Sequence, residues 1–221
     1  MPTPRDLAHA EQRARILAVA REHLVREGAA SLSLRKVIAE VGMVSSAIYR
    51  YFPTRDALLT ALIVDGYGEL ADTLAGVPAG EPRARFRALA VALLEWARTH
   101  PQEFALIYGT PVSGYHAPQD TIGPATRVVL PFLEAAVTGG ATAPGKVAGA
   151  LLSQAQDLVD ALELEVEPVR IVGVVEAFTL LVGSLILHLG GHYVGTFEPF
   201  DWLAERIAET AVALAGFDSP R

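Results

Sequence analysis

The stretch SLRKVIAEVGMVSSAIYRYFPTR, residues Ser33 to Arg55, decides the fold. Its first half sets Leu34, Val37, Ile38 and Val41 at the i, i+3, i+4, i+7 spacing of one apolar stripe on an α-helix. Arg35, Lys36 and Glu40 are left for water. Ser33 stands directly before the stripe and is the expected N-cap. Gly42 supplies the backbone freedom that a helix end needs, and only Met43 and Val44 separate it from Ser45. A turn of that length joins the two helices of a helix-turn-helix. In the short second helix Ile48 and Phe52 are spaced to meet Leu34 and Ile38, while Ser45, Ser46, Tyr49 and Arg50 face the other way. Pro53 ends it.

A face with one cation, two small hydroxyls and an aromatic hydroxyl can reach phosphates and base edges in a DNA major groove. The same face also suits plain contact with water. The longer run GMVSSAIYRYFPTRDALLTALI resembles the signature of the TetR family of bacterial transcriptional regulators. That signature has a Gly-Val-Ser-like turn, then Tyr-x-His/Tyr-Phe, then a Lys or Arg opening the fourth helix. Gly42, Tyr49, Tyr51, Phe52 and Arg55 occupy those places. The resemblance is specific over residues 12 to 65 and rests elsewhere on length and helical texture. It departs at Ile38, four before the turn glycine, where the family usually carries a small Ala, so a tight helix crossing is not implied at that position.

The resemblance implies an all-α protein, with an N-terminal three-helix helix-turn-helix DNA-binding domain over 1-56. A C-terminal helical ligand-binding and dimerisation domain follows over 57-221. It implies a homodimer on a palindromic double-stranded DNA operator, released by a small-molecule effector. Carried over by position, Ser33, Tyr49 and Arg55 would hold phosphates. Arg35, Ser45, Ser46 and Arg50 would face the bases, with Tyr51 in the same set. Trp96, Phe104, Tyr108, Tyr115, Phe132 and Phe178 lie on segments that enclose the effector cavity in such regulators. Tyr108, Tyr115 and His116 flank Gly/Pro-rich loops, where polar tips can meet a ligand.

Composition agrees with packed helices: 51% of the 221 residues are hydrophobic but only 7% aromatic, so the core is built from Ala, Leu and Val. The net charge of −7 divides unevenly. Residues 1 to 56 carry nine Lys or Arg against six Asp or Glu, a balance of +3, whereas the remainder carries nine against nineteen, a balance of −10. Only the N-terminal part attracts phosphate at long range. The largely aliphatic remainder points to an apolar effector. With no cysteine, disulfides, thiolate metal sites and Cys nucleophiles are excluded. MPTPRDLAHAEQRAR has no apolar run of a signal peptide, and a cytoplasmic protein is expected.

In chain order, residues 1 to 9 are expected to form a mobile arm. A first helix from Ala10 to Glu27 carries Ile16, Leu17, Ala20 and Leu24 inward, Gly28 as its cap, and Arg13 and Arg15 near the DNA backbone. Thr54 caps a fourth helix with Leu58, Leu59, Leu62 and Ile63 inward, and Arg55 at its N-terminus offers a phosphate site. Phe86, Leu89, Leu93 and Trp96 face inward from a helix over 82–100. A short helix over 102–108 precedes the loop GTPVSGYHAP. Pro131 should kink or restart a helix over 121–137, a flexible TGGATAPG linker follows, and another helix spans 145–162. The most apolar stretch, 171–191, approaches a membrane span in length, but Glu176 at its middle favours a buried or interface helix. A last helix over 201–215 sets Trp202, Leu203, Ile207 and Ala211 on one face. Residues 168-190 and 201-215 are the expected dimer interface, and no membrane partner is expected.

No catalytic motif is present, and no catalytic residue, cofactor or metal is expected. His188 and His192 stand four apart without the glutamate of a zinc motif. Asp157, Asp160 and Glu163 fit a solvated helix end. The alternative is a helical small-molecule-binding protein or enzyme without sequence-specific DNA binding, for which the acidic remainder and Ile38 speak. Arg35, Arg50 and Arg55 on one exposed face with Tyr49 would favour the DNA reader.

Overall fold

The computed structural model describes residues 3–109, 112–140, 146–161 and 163–217; the side chains of Ser45 and Ser46 fall outside the description. The described residues are helical, with no strand among them. They form two compact units: Met1–Glu69 with His100–Ala125, and Leu70–Thr99 with Thr126–Arg221.

In the first unit, α1 (Pro4–Glu27) packs against α2 (Leu34–Val41), which turns into α3 (Ser45–Ile48). Helix α4 (Arg55–Ala75) follows, and α6 (Pro101–Tyr108) returns to lie on α1. The apolar stripes meet in one core: Ile16, Leu17 and Ala20 of α1, Val37, Ile38 and Val41 of α2, Ile48 and Phe52, and Leu58, Leu59 and Leu62 of α4. Gly42 takes the left-handed conformation at the end of α2 (φ 73°, ψ 28°), as the turn requires, and its N–H donates to the Ile38 carbonyl. Ile38 is 6% exposed and seated in that core, with Ala39 turned to solvent, so the larger residue is accommodated as filling.

Two expectations change here. Residues 4–9 are helical: Thr3 accepts from the Asp6 N–H (3.2 Å) while the Asp6 carboxylate accepts from the Thr3 N–H (2.9 Å). This reciprocal cap starts α1 at Pro4, and His9 then stacks on Tyr51 at 4.5 Å. Met1 and Pro2 lie outside the described residues. Ser33 holds the N-cap position of α2 in extended conformation, but its hydroxyl makes no cap bond. At the start of α4 the Thr54 hydroxyl does accept from the Ala57 N–H (3.0 Å).

In the second unit α5 (Pro82–Thr99), α8 (Gly149–Ala161), α9 (Pro168–Leu189) and α10 (Asp201–Leu214) assemble around α9, which packs on the other three. Phe86 meets Phe132 edge-on at 5.2 Å, Phe132 meets Phe178 at 5.8 Å, and Phe217 lies 5.5 Å from Phe86. Helix α9 is 22 residues long and apolar enough, by length and composition alone, to cross a membrane; here it is the helix against which its neighbours pack. Arg83 and Arg87 of α5 bind Glu209 of α10, and Arg98 binds Asp201 at 2.7 Å.

Three further expectations are made specific in this unit. Helix α7 (Ile122–Thr138) runs through Pro131 without restarting. One backbone bond is lost, but burial of Val128, Phe132, Leu133, Ala135 and Ala136 on the same helix holds it in register. Trp202 is 80% exposed, because the inward stripe of α10 is Ile207, Ala208, Ala211 and Val212, and the first turn overshoots it. Gly139, placed in a flexible linker by composition, is a tight spot: a Cβ there would come 2.5 Å from the Phe217 ring and 2.6 Å from Pro82. The rest of that linker, 141–145, lies outside the described residues, as does Leu162.

Replacing Ile38 by Ala should destabilise the chain by about 2–5 kcal/mol, measured by denaturant unfolding, because a fully packed side chain is deleted. Near-neutral behaviour would show that the core closes around the smaller residue. The acid limb of stability has its own prediction. A hydrogen bond from Lys36 holds the Glu27 carboxyl below its ordinary range, and one from Arg26 does the same for Glu40. A depressed folded value means that these contacts stabilise the fold above the ordinary carboxylate range and are lost as pH falls through the lowered values. Melting temperature should therefore fall between about pH 5 and pH 3. Glu40→Gln should make the fall shallower; an unchanged acid profile would remove this pair from the account.

Candidate nucleic-acid interface

The cations of residues 1 to 56 sort into two groups by what they already bind. Arg21 pairs with Asp65 (3.1 Å) and Glu69, Arg26 with Glu40 (3.1 Å), and Lys36 with Glu27. These charges are neutralised locally and tie α1 to α2 and α4. Arg35 and Arg50 are exposed and make no ion pair or side-chain hydrogen bond among the described residues, and the same is true of Arg5 and Arg15. Arg13 lies with its guanidinium 5.3 Å from the Phe52 ring centroid. Only unpaired guanidinium groups can meet phosphate or a guanine edge without first breaking an internal contact.

The helix-turn-helix presents Arg35 from α2, and Tyr49 and Arg50 just after α3, all solvent-exposed; Tyr49 is 49% exposed. Helix α3 is a single turn, continued by tighter bonds from Arg50 N–H to Ala47 O (3.3 Å) and Tyr51 N–H to Ile48 O (2.8 Å). Ala47, Ile48 and Phe52 are buried on its inner side, which leaves Tyr49 and Arg50 outside. The Gln12 amide reaches the Met43 sulfur at 3.1 Å and steadies the turn from α1. Tyr51 is half-buried against His9.

Arg55 is placed differently from the others. Its Nε donates to the Leu32 carbonyl (2.9 Å) and its Nη2 to those of Ala29 (3.0 Å) and Ala30 (3.3 Å). Asp56 lies 3.8 Å from Nη1. The guanidinium thus clamps the 3-10 turn Ala29–Ser31 to the start of α4 through Nε and Nη2, while Nη1 makes no hydrogen bond among the described residues. Arg35, Arg50 and Tyr49 are open to solvent; Arg55 is not fully so.

His23 went unnoticed in the sequence. It is buried in α1, with Nε2 2.7 Å from the Glu40 carboxylate and Nδ1 3.8 Å from that of Glu27. The available signal was its place three residues after Ala20, on the inward stripe.

The aromatic residues expected at an effector site fall into two separate sets. Phe104, Tyr108, Tyr115 and His116 belong to the first unit, and Trp96, Phe132 and Phe178 to the second, where Trp96 and Phe132 are core. Within the first unit Ile63 and Tyr67 of α4, Leu106, Ile107 and Gly109, and Val112, Tyr115, Ala117 and Thr121 enclose a cavity of about 230 Å³. Tyr115 lines it, His116 is exposed beside it, and Tyr108 meets Tyr67 edge-on at 5.7 Å. Burial raises the hydroxyl pKa of both Tyr67 and Tyr108. Elsewhere, His188 lies flat on Phe200 at 3.8 Å. No group of three His, Cys, Asp or Glu placed to hold a metal occurs among the described residues.

Three helices around one core, with an exposed Arg/Tyr surface on a Gly-turned helix pair, define a helix-turn-helix protein of the DNA-binding class. The comparisons name the family. A profile described as "Bacterial regulatory proteins, tetR family" matches residues 16–62, and one described as "Tetracyclin repressor-like, C-terminal domain" matches 86–211. The chain belongs to the TetR family of regulatory proteins, a family of transcriptional regulators and not of enzymes.

The chain is 48% identical over 141 residues to the HTH-type transcriptional regulators Rv1816 of Mycobacterium tuberculosis and Mb1846 of Mycobacterium bovis. The match spans 58% of this chain and 57% of the length of each of those relatives. Among solved structures, the regulatory protein SCO4313 superimposes with a TM-score of 0.79 at 31% identity, over 96% of this chain and 100% of that one. A Rhodococcus protein of unknown function follows at TM-score 0.67 and 25% identity, over 91% and 93%.

Replacing Arg55 by Lys separates its two roles. A lysine keeps the charge, but its compact ammonium does not reproduce the spread of Nε and Nη2 over the Leu32, Ala29 and Ala30 carbonyls. The variant should melt lower and bind DNA more weakly, while the slope of log affinity against log salt stays unchanged. Arg55→Gln, which also removes the charge, should likewise leave the slope unchanged; a phosphate contact at Arg55 would instead reduce it by about one.

Proposed function

We propose that this chain is a transcriptional regulator, most simply a repressor, that binds a palindromic operator as a homodimer and is released by a small, largely apolar effector. The observation that carries the reading is the uncommitted Arg35, Arg50 and Tyr49 on the helix-turn-helix of a TetR-family chain. Arg35 and Arg50 are assigned to base edges together with Ser45 and Ser46, and Tyr49 and Ser33 to phosphates. Arg55 and Tyr51 hold the frame from behind. The DNA-contacting part is residues 1–56, and effector binding and dimerisation are assigned to 57–221. Packing groups His100–Ala125 of the latter with the former, which supports direct communication between the two.

For dimerisation, α9 leaves Val175, Ile186 and Leu187 exposed, and α8, packed on it, leaves Leu151 and Leu158 exposed. The buried stripe of α10 is already used against α5 and α9 of its own chain, so residues 168–190 are favoured over 201–215 as the self-association surface. Two recognition helices about 34–36 Å apart would then read successive major grooves. The effector would act by favouring a mis-spaced state, with a coupling of about 1–3 kcal/mol. Such a protein works in the cytoplasm.

The test is binding to the DNA upstream of its own gene, against random duplex, across a salt series. Selective binding that weakens on Arg50→Ala and Tyr49→Phe is expected, with Arg50→Ala costing about 1–3 kcal/mol and relaxing specificity. Weak, sequence-blind binding that neither variant alters would overturn the reading.

A further inference from the structure

The cavity of the first unit specifies the chemistry of its occupant, an inference that rests on the effector reading above. Its described lining is five aliphatic side chains, one glycine and the three hydroxyl-bearing residues Tyr67, Tyr115 and Thr121; none carries a charge. A carboxylate or an ammonium seated against this half-open lining would give up part of its water and meet no charge among the lining side chains. The volume, about 230 Å³, lies below the range of roughly 300–1,000 Å³ that suits drug-sized ligands.

The hydroxyl hydrogens are largely committed. Thr121 donates to the Pro118 carbonyl (2.8 Å) and Tyr67 to that of Ile107 (3.3 Å), so each keeps only acceptor capacity. Of the two hydroxyl hydrogens of Tyr115 and Thr60, one lies between them across 2.9 Å and the other stays free. The cavity is therefore richer in acceptors than in donors, and a ligand completes it best by donating.

The same walls belong to the helix-turn-helix core. Tyr67, Leu106, Ile107, Val112 and Tyr115 pack against the cluster that contains Ile16, Leu17, Ile48 and Phe52. Helix α6, which supplies Leu106 and Ile107, rests on α1. An occupant that displaces any of these walls acts on the DNA-binding core without an intermediary.

We propose that this cavity takes an uncharged, compact, mainly apolar molecule bearing one hydroxyl, of the size of a monocyclic alcohol, and that this molecule is what the DNA-binding unit senses. The Tyr115–Thr60 hydrogen bond is the contact the ligand hydroxyl joins or replaces. The site thus discriminates by charge first and by size second.

Three probes of one ring size test this on the full-length protein by calorimetry: cyclohexanol, cyclohexanecarboxylate and cyclohexylammonium. Cyclohexanol should bind at least tenfold more tightly than either ion. Tyr115→Phe should weaken it several-fold, and Val112→Phe or Leu106→Trp, which fill the space, should abolish binding in protein that still melts cooperatively. Equal or tighter binding of an ion, cyclohexanol binding that survives both filling variants, or no cyclohexanol binding by folded protein would overturn the proposal. Release of upstream DNA is followed in the same samples. Binding without release leaves the ligand class standing and overturns the effector reading instead.

Discussion

A helix of four residues has no stability of its own, since the cost of starting a helix is not recovered in one turn. Helix α3 exists because Ile48 and Phe52 are buried against Val37, Ile38 and Leu58. That burial also determines where Tyr49 and Arg50 stand. Every property of the DNA-facing surface is thereby subordinate to the core beneath it. Gly42 contributes the one backbone conformation that lets α2 and α3 share that core, and Arg55 fastens the chain leading into α2 to the start of α4.

Charge is organised by the same logic. Residues 1 to 56 are basic in sum, but Arg21, Arg26 and Lys36 among their nine cations are held in ion pairs that knit α1, α2 and α4 together. Arg21, Arg26 and Lys36 are architectural cations, and their removal would be felt as loosened packing. Arg35 and Arg50 are left over, on the side where α3 is short and its flank open. A count of charges along the chain points to the right unit and overstates how many of them are available to a ligand.

Much of the first unit was legible because its signals are local. The stripe Leu34, Val37, Ile38 and Val41, the turn glycine and Pro53 lie within one short stretch, and each acts on its neighbours. The role of Arg55 was not legible, since its acceptors lie 23 to 26 residues earlier and are backbone atoms with no residue type to announce them. The cavity was half legible: Tyr115 was marked by its loop, whereas Tyr67, Leu106 and Ile107 look like ordinary core residues until the turn of the chain brings them together. Trp202 was placed on one face with Ile207 and Ala211, but the buried stripe of α10 is Ile207, Ala208, Ala211 and Val212, which leaves Trp202 80% exposed in the single chain. In α7, Pro131 does not restart the helix, which continues from Ile122 to Thr138 with Phe132, Leu133, Ala135 and Ala136 buried.

The first unit is built from two separated stretches, with α6 and the loop after it folded back onto α1 and α4. A helix-turn-helix is commonly treated as a detachable reading head. Here, cutting after residue 69 would strip away the segment that covers Ile63 and Tyr67, and would leave part of the core facing water. Recombination between relatives that exchanged only the N-terminal helices would set one protein's reading head on another's sensor wall, with mismatched side chains at the seam. Transplanting DNA specificity while preserving response therefore requires moving His100–Ala125 as well, so that reader and sensor change together.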